Sequence, residues 1–525
     1  MFDLNAIPAD GPPPTPTGRP ATGNGNEEPM SQLTPTLEQI RSFEGKYPKQ
    51  LWSLFTIEMW ERFCFYGMRG MLTVFMVTQL GLGDKEANLQ YGAIQAFVYA
   101  FTFIGGVFAD KILGFQKSLI WGAATMIAGG LVIAFSPNET GFYIGTCFSI
   151  VGTGFFKPNI STMVGQLYNP GDTRRDAGFS LFYSGINLGA LLGGALMIWV
   201  GKNYSWSFAF ALVSVAMTIS LITFLATRKN LGPIGLSPFG PDVPVTRRKM
   251  LEVATYLGSL LCLPLVFVLV KNSRYTDLFM YIIGPATLVW LGWEMRKFTR
   301  EQNKRIGAAL VFIFFSVLFW AFFEQSGGSL SLFALNNLKP HLFGIGMDPN
   351  VINNSSNSLF VILFAPLVGI VWVWLAKRKA EPNSVVKFGL GFFLLGLAFM
   401  VFAWTKAFAG PDGLTSLEVF TLGYFVITFG ELCLSPIGLS LMTQLAPTSI
   451  QGLMMGMWFL ASAYGQYVAG LLGAGMSSAD PNASALVKLG AYTDGYKQLG
   501  IYALIAGVVL VAISPMVRRL MKGVH

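Results

Sequence analysis

Long apolar runs separated by short polar segments repeat along almost the whole chain. Fourteen runs reach about 20 residues, and a helix of that length crosses the roughly 30 Å hydrocarbon core of a bilayer. The pattern therefore predicts fourteen membrane-spanning helices. They are expected to begin near Leu51, Tyr91, Lys117, Gly141, Asp176, Trp206, Met250, Asp277, Ile306, Val351, Val385, Ser416, Gln451 and Gly495.

The first apolar run, LWSLFTIEMWERFCFYGMRGMLTVFMVTQL, also contains four ionisable side chains. An ionised group at the bilayer centre costs roughly 2.5 to 3.5 kcal/mol on insertion scales, so such groups must pair or face an aqueous cavity. The spacing places them on one face of a helix, together with two aromatic residues. The residues of this face are Glu58, Glu61, Arg62, Phe65, Tyr66 and Arg69.

Three neighbours on that face predict a proton-sensitive cluster. Glu58 and Arg62 are four residues apart with the acid first, which is the favourable orientation for an ion pair, and Glu61 is close enough to compete for Arg62. Protonation of either glutamate would weaken its hold on the arginine. The cluster is therefore a candidate proton switch.

The composition agrees with a polytopic, all-α membrane protein. Of the 525 residues, 53% are hydrophobic and 12% are charged, with a mean hydropathy of +0.54. Soluble domains average about 25% charged residues.

The net charge of +9 arises mainly on one side of the predicted topology. Of the 36 Lys and Arg residues, 25 lie in the termini and in the loops after even-numbered spans, 8 lie in the other loops and 3 lie within the membrane. The positive-inside rule then predicts that both termini are cytoplasmic. This distribution favours membrane topology over nucleic-acid binding as the origin of the charge.

Cysteine and histidine offer no site for metal or redox chemistry. The four cysteines lie inside apolar runs without paired spacing, and the two histidines, His341 and His525, lie outside them. Neither a disulfide frame nor a zinc site is indicated. We therefore expect no metal, no cofactor other than the proton as coupling ion, no enzymatic activity, and proton chemistry carried by carboxylates.

The order of the spans predicts four segments. They are a disordered cytoplasmic segment at 1–49, a six-helix bundle at 50–227, a cytoplasmic linker with two further helices at 228–305, and a second six-helix bundle with a short tail at 306–525. Two six-helix bundles around a central site resemble the major facilitator fold. The loop GGVFADKILG, with Gly105, Asp110 and Gly114, is similar to the loop motif of that superfamily.

Five motifs carry a more specific resemblance. EMWERFCFYG, GTGFFKPN, FYSGINLGAL, FWAFFEQ and GELCLSP occur in the order found in the proton-dependent oligopeptide transporter family. The resemblance covers roughly residues 50 to 520, and the two extra central helices are similar to those of the bacterial members. It implies proton-coupled uptake of di- and tripeptides by alternating access, in the inner membrane of a bacterium, by a protein expected to be monomeric.

The resemblance also implies residue roles. Arg62 and Lys157 would hold the peptide carboxylate and Glu431 its amino group. Asn187 and Asn357 would bind the peptide backbone, while Tyr66, Tyr99, Trp320, Trp458 and Ser435 would line side-chain pockets. Proton coupling would involve Glu58, Glu61, Arg62, Lys157 and Glu324, with Glu324 acting together with Lys157. Arg69 would be a gate residue or a substrate contact.

Several alternatives stay open at this stage. Lys157 precedes Pro158 and could extend to the membrane surface from a kinked helix. Glu324 is followed by QSGGS and could stabilise a broken helix through a hydrogen bond. Asn187 and Asn357 could join helices by hydrogen bonds. Phe65 also departs from the motif, because many members have a tyrosine there.

Rival functions are less compatible with the residues. Transport of another small anion such as nitrate on the same scaffold is the main alternative, but Glu431, isolated in an apolar span, suits an ammonium group. A membrane-embedded hydrolase would need a Ser/His pair or a set of metal ligands, which the spans lack. A channel or receptor would not need a helix face with several ionisable residues.

Overall fold

Helices account for nearly all of the regular structure in the computed structural model, which describes residues 34–169, 171–240, 242–434, 442, 444–447, 450–478 and 480–521. The helices of the first part are α1 Leu37–Arg41, α2 Lys49–Thr78, α3 Asp84–Phe108, α4 Phe115–Phe135, α5 Glu139–Gln166, α6 Arg174–Asn203 and α7 Trp206–Thr227. Next come α8 Val245–Leu261, α9 Leu263–Lys271 and α10 Ser273–Glu294. The last part contains α11 Arg300–Phe323, α12 Ser329–Asn337, α13 Pro349–Lys377, α14 Ser384–Trp404, α15 Leu417–Leu434, α16 Gln451–Met476 and α17 Ala485–Met521.

Short elements extend or join these helices. One π-helical turn, Ala109–Leu113, continues α3, and 3-10 turns lie at Arg228–Leu231, Met295–Lys297, Glu324–Gly327 and Thr405–Phe408. Two-residue strands, His341–Leu342 and Ile345–Gly346, form an antiparallel pair before α13.

Eleven helical stretches among the described residues are long and apolar enough to cross a membrane. Helices α2, α5 and α16 are of comparable length, with 30, 28 and 26 residues, but their sequences contain more polar and small residues. The chain is therefore an all-helical, multi-pass membrane protein.

Several helices begin earlier than the apolar pattern predicts, and the shift is largest in α3 and α17. Helix α3 begins at Asp84 rather than near Tyr91, and α17 begins at Ala485 rather than near Gly495. Hydropathy marks only the part of a helix that suits hydrocarbon, whereas polar first turns are stabilised by other means. In α3, Asp84 and Glu86 lie in the first turn, where the helix dipole favours acids.

The expectation of disorder throughout 1–49 is wrong for its last part, while residues 1–33 lie outside the described part. Thr36 and Gln39 form a capping box at the start of α1, which satisfies two backbone donors that would otherwise be unpaired. Ile40 is buried, and Arg41 donates to the carbonyl of Gln166. Helix α1 is thus fastened to the end of α5.

Most contacts between helices fall within two groups. Helices α2 to α7 pack mainly on one another, and so do α11 to α17. The groups meet chiefly where α3 lies against α16 and where α6 lies against α13. At the first of these lines, a Cβ on Gly92 would lie 2.7 Å from the Cα of Gly470, so the two backbones are in direct contact.

The two central helices lie against both groups. Glu252 of α8 forms an ion pair with Lys117 of α4, and Trp121 donates to Ser259 at 3.0 Å. On the other side, the Tyr467 hydroxyl of α16 donates to Asp277 of α10 at 2.5 Å. Glu252 therefore has a specific partner in the first group of helices.

Glycines let α6 lie directly on α2. A Cβ on Gly189 would be 2.1 Å from the carbonyl oxygen of Met59, and one on Gly193 would be 2.1 Å from that of Phe63. Small residues allow such close approach in membranes, where association depends on packing rather than on hydrophobic exclusion. The contact fixes the stretch of α2 that contains Arg62.

Helix α11 ends in the 3-10 turn that contains Glu324, and the chain resumes as α12. Gln325 donates to the carbonyls of Ala321 and Ala469, and Ser329 donates to the Gln325 side chain. A broken helix in a membrane requires such internal partners. The break leaves Glu324 buried at the junction between α11 and α12.

Candidate functional site

A cavity of about 940 Å³ lies between the two groups of helices. Its lining reaches Lys111 and Phe115, at the turn between α3 and α4, on the side that carries most of the basic loop residues. We call this the basic side. No loop of the opposite side contributes a lining residue among those that the structure describes. Among the described residues, the lining therefore reaches the loops of the basic side and none of the opposite side.

Arg62 lies between two carboxylates in the first group. Its Nε atom is 2.6 Å from a Glu61 oxygen and 2.9 Å from a Glu58 oxygen. All three side chains are at most 3% exposed, and Arg62 and Glu58 line the cavity while Glu61 lies behind them. The predicted cluster is therefore assembled.

The pairing of Arg62 is incomplete. The closest contact with each carboxylate involves the same nitrogen, Nε. Within the described part of the chain, Arg62 Nη2 and Glu58 Oε2 are buried atoms without a hydrogen-bond partner. Because a buried unsatisfied donor is costly, the guanidinium is suited to accept a further anionic partner.

Lys157 extends from α5 into the same cavity. Its ammonium lies 4.0 Å from the ring centre of Tyr99 and 4.9 Å from that of Phe65. The alternative of a lysine that snorkels to the surface does not describe this position. Lys157 and Arg62 thus place two positive charges on the wall formed by the first group.

Arg69 and Glu324 join the two groups at the end of the cavity away from the basic side. The Arg69 guanidinium forms an ion pair with Glu324, donates to Ser326 at 2.6 Å and donates to the Tyr91 hydroxyl at 2.8 Å. The expected pairing of Glu324 with Lys157 is not made in this structure, because Arg69 already occupies the carboxylate. Arg69 therefore joins the two groups of helices while also lining the cavity.

Glu431 faces the cavity from α15 in the second group. Asn357 Nδ2 donates to a Glu431 oxygen at 2.9 Å and to Thr428 at 3.1 Å. Among the described residues, no cation forms an ion pair with Glu431. A negative charge thus lies on the wall opposite to Arg62 and Lys157, and Asn357 orients it.

The other expected site residues divide into three sets. Tyr66, Tyr99, Asn187 and Trp320 line the cavity, and Asn187 also donates to the Tyr183 carbonyl of its own helix. Trp458 is packed in the buried core and is not among the lining residues, although Met455 and Phe459 of the same helix are. Ser435 lies outside the described residues.

Some lining residues were not anticipated from the sequence. Asn353 accepts from the Tyr424 hydroxyl at 2.7 Å and donates to the Ser326 carbonyl, and Asn354 donates to the carbonyl of Gly70. The polar run NNSSNS inside the tenth apolar span was the available signal. Tyr183 also lines the cavity and was not anticipated. Its position one helical turn before Asn187 was the available signal.

Ion pairs close the side opposite to the basic side. Buried Asp84 of α3 lies 3.3 Å from Lys488 and accepts from Tyr492, both on α17. Lys202 of α6 lies 2.8 Å from Asp348, immediately before α13. Both ion pairs connect the first group of helices to the second.

Comparisons with known proteins agree with this arrangement. The family model described as the POT family matches residues 116–488. The chain belongs to the POT family. Two relatives within this family are the peptide transporter YePEPT of Yersinia enterocolitica, 33% identical over 509 residues, and the dipeptide and tripeptide permease A of Yersinia pestis, 30% identical over 485 residues. The alignments cover 92% of this chain in both cases, and 97% and 95% of the relatives.

A solved structure of the POT family shares the fold. The peptide transporter POT, crystallised as a mutant in complex with alafosfalin, superposes with a TM-score of 0.80 at 33% identity. The superposition covers 93% of this chain and all of the other. The relatives are named as transporters and permeases, which confirms the expectation that this POT family chain is not an enzyme.

Proposed function

We propose that the protein takes up di- and tripeptides together with protons by alternating access. The observation that carries the proposal is the division of charge across the cavity, with Arg62 and Lys157 on one wall and Glu431 on the other. A peptide zwitterion has a carboxylate and an ammonium group at its two ends, so it complements this division. The names of the two relatives support the same substrate class.

The proposed coupling is a competition for Arg62. Unprotonated Glu58 and Glu61 hold the guanidinium, and protonation weakens that hold and frees the arginine for the peptide carboxylate. Proton binding and peptide binding then favour each other, because linkage is reciprocal.

The second proposed switch uses Glu324. In this structure Glu324 holds Arg69 and closes the side opposite to the basic side. When that side opens, the pair separates and Glu324 becomes available to Lys157 across the cavity, as the sequence led us to expect.

The proposed topology follows the apolar pattern. All fourteen long helical stretches cross the membrane, with bundles at 50–227 and 306–525 and a linker with two central helices at 228–305. Both termini lie in the cytoplasm of a bacterium, so the cavity is open inward. The protein acts as a monomer in the inner membrane and requires no cofactor.

Uptake of labelled dialanine into liposomes under an imposed inward proton gradient tests the substrate class. We expect accumulation that a tripeptide inhibits and nitrate does not. Inhibition by nitrate but not by the tripeptide would favour the small-anion alternative, which the lone acid Glu431 argues against.

A further inference from the structure

The Lys157 ammonium lies over two aromatic rings. It lies 4.0 Å from the ring centre of Tyr99 and 4.9 Å from that of Phe65. Within the part of the chain that the structure describes, it makes no ion pair. A cation over an aromatic face is attracted by the ring, and the attraction is larger where water is excluded.

The Phe65 ring is shared by two cations. The Arg62 guanidinium lies 5.3 Å from the same ring centre, so the ring contacts both basic groups of this wall. Phe65 is only 7% exposed, and Tyr66 packs against it edge-on at 5.1 Å. Its orientation is therefore fixed by the protein rather than by solvent.

We propose that Phe65 and Tyr99 are positioning residues that hold the Lys157 ammonium ready for the carboxylate of the substrate. The inference rests on the proposed function. An ammonium held by rings keeps its N–H donors free, because a ring attracts the charge without occupying them in conventional hydrogen bonds. A carboxylate partner would have to be displaced before the substrate could bind.

This role gives a reason for phenylalanine at position 65. The attraction requires the face of the ring and not a hydroxyl, so Phe65 serves as well as the tyrosine that occurs in many family members.

The test measures dissociation constants of the purified protein for two peptides, dialanine and its C-terminal amide, which lacks the carboxylate. Phe65→Leu keeps an apolar side chain but removes the ring. We expect its dissociation constant for dialanine to rise roughly 3- to 30-fold, the range of a partly to fully desolvated cation–π contact, and that for the amide to stay unchanged. Phe65→Tyr, which retains the ring, should keep the wild-type preference for the carboxylate.

Two further variants control for folding. Phe63 lies on the same helix and is similarly buried, at 5% exposed, but lies outside the cavity lining. Phe63→Leu should leave the ratio of the two dissociation constants unchanged. Tyr99 lines the cavity, so Tyr99→Leu provides a second test of the same selective loss, with Tyr99→Phe as its ring-retaining control.

A double-mutant cycle assigns the effect to Lys157. In a Lys157→Gln background, Phe65→Leu should cause no further selective loss. Equal weakening of both peptides by Phe65→Leu and Tyr99→Leu, or a full effect in the Lys157→Gln background, would overturn the inference. Failure of the unmodified protein to bind or take up dialanine would instead overturn the proposed function.

Discussion

Two arginines of the same helix face are paired to different degrees, and the difference matches their proposed roles. Arg69 reaches Glu324, Ser326 and Tyr91. The closest contacts of Arg62 with its two carboxylates are both made by Nε, and its Nη2 atom has no hydrogen-bond partner among the described residues. Arg69 is therefore suited to hold a closed gate, and Arg62 to exchange partners.

Glu431→Gln should weaken binding of peptides that have a free amino group. A hydrogen bond to a charged group contributes about 1.5 to 3 kcal/mol, so we expect a loss of about 10- to 150-fold in affinity for dialanine. Titration calorimetry with dialanine and N-acetyl dialanine measures the effect, and the acetylated peptide should be much less sensitive. An equal loss for both peptides would contradict the role of Glu431 as the partner of the amino group.

The sequence located the charged residues of the site but not all of their partners. Charges inside apolar spans are conspicuous because they are costly there, so Glu58, Arg62, Lys157 and Glu431 could be chosen. The partner of Glu324 could not be chosen from the sequence. Arg69 is 255 positions away from Glu324, and Lys157 carries the same positive charge as Arg69.

Trp458 illustrates a second limit at this scale. It is packed in the core, while its neighbour Phe459 lines the cavity. In an apolar helix the hydropathy of a residue does not reveal which side faces a cavity, so the residue type alone gave no means to choose between them.

At the scale of helices, close contact between α2 and α6 fixes the position of the proton-sensitive cluster of Glu58, Glu61 and Arg62. The positions that face α2 from α6 include Gly189 and Gly193, where an added Cβ would collide with backbone oxygens. Backbone cannot move aside as a flexible side chain can. The helices would have to separate near Arg62.

Gly189→Ala should therefore lower both stability and transport. Overpacking of this kind typically costs 1 to 3 kcal/mol, and we expect a lower melting temperature in detergent together with slower dialanine uptake. Gly307→Ala is the matched control, since nothing lies within 4 Å of a Cβ there and alanine favours a helix more than glycine does. A Gly189→Ala protein as stable and active as the control variant would contradict the close contact.

The existence of the helices was easier to predict than their ends. The apolar runs identified the long helices, whereas the early starts at Asp84 and Ala485 and the short helix Leu37–Arg41 lie in polar sequence. These parts depend on capping and on contacts with distant segments, which local hydropathy does not encode.

At the scale of the whole molecule, ion pairs between the two helix groups hold one side closed. Asp84 and Lys488 are both largely buried in this contact. Removal of one partner from a buried ion pair typically costs 3 to 5 kcal/mol, because the other charge is left uncompensated. The cost applies only to the closed arrangement, since opening exposes the lysine to water.

Asp84→Asn should consequently favour opening of that side. Spin labels at exposed positions 85 and 497 would report it as a longer component in the distance distribution. Asp494→Asn is the control, because Asp494 pairs with Lys406 within one helix group and both side chains are more than half exposed. Distributions that do not differ between the two variants would contradict the role of Asp84 in closure.

Competition for Arg62 is the central claim, and Glu61→Gln tests it most directly. The neutral side chain keeps the shape of Glu61 but cannot gain or lose a proton. In liposomes, we expect the variant to lose dialanine uptake driven by a proton gradient and to retain counterflow exchange of dialanine, which needs no net proton movement. Gradient-driven uptake at the wild-type rate would contradict the claim.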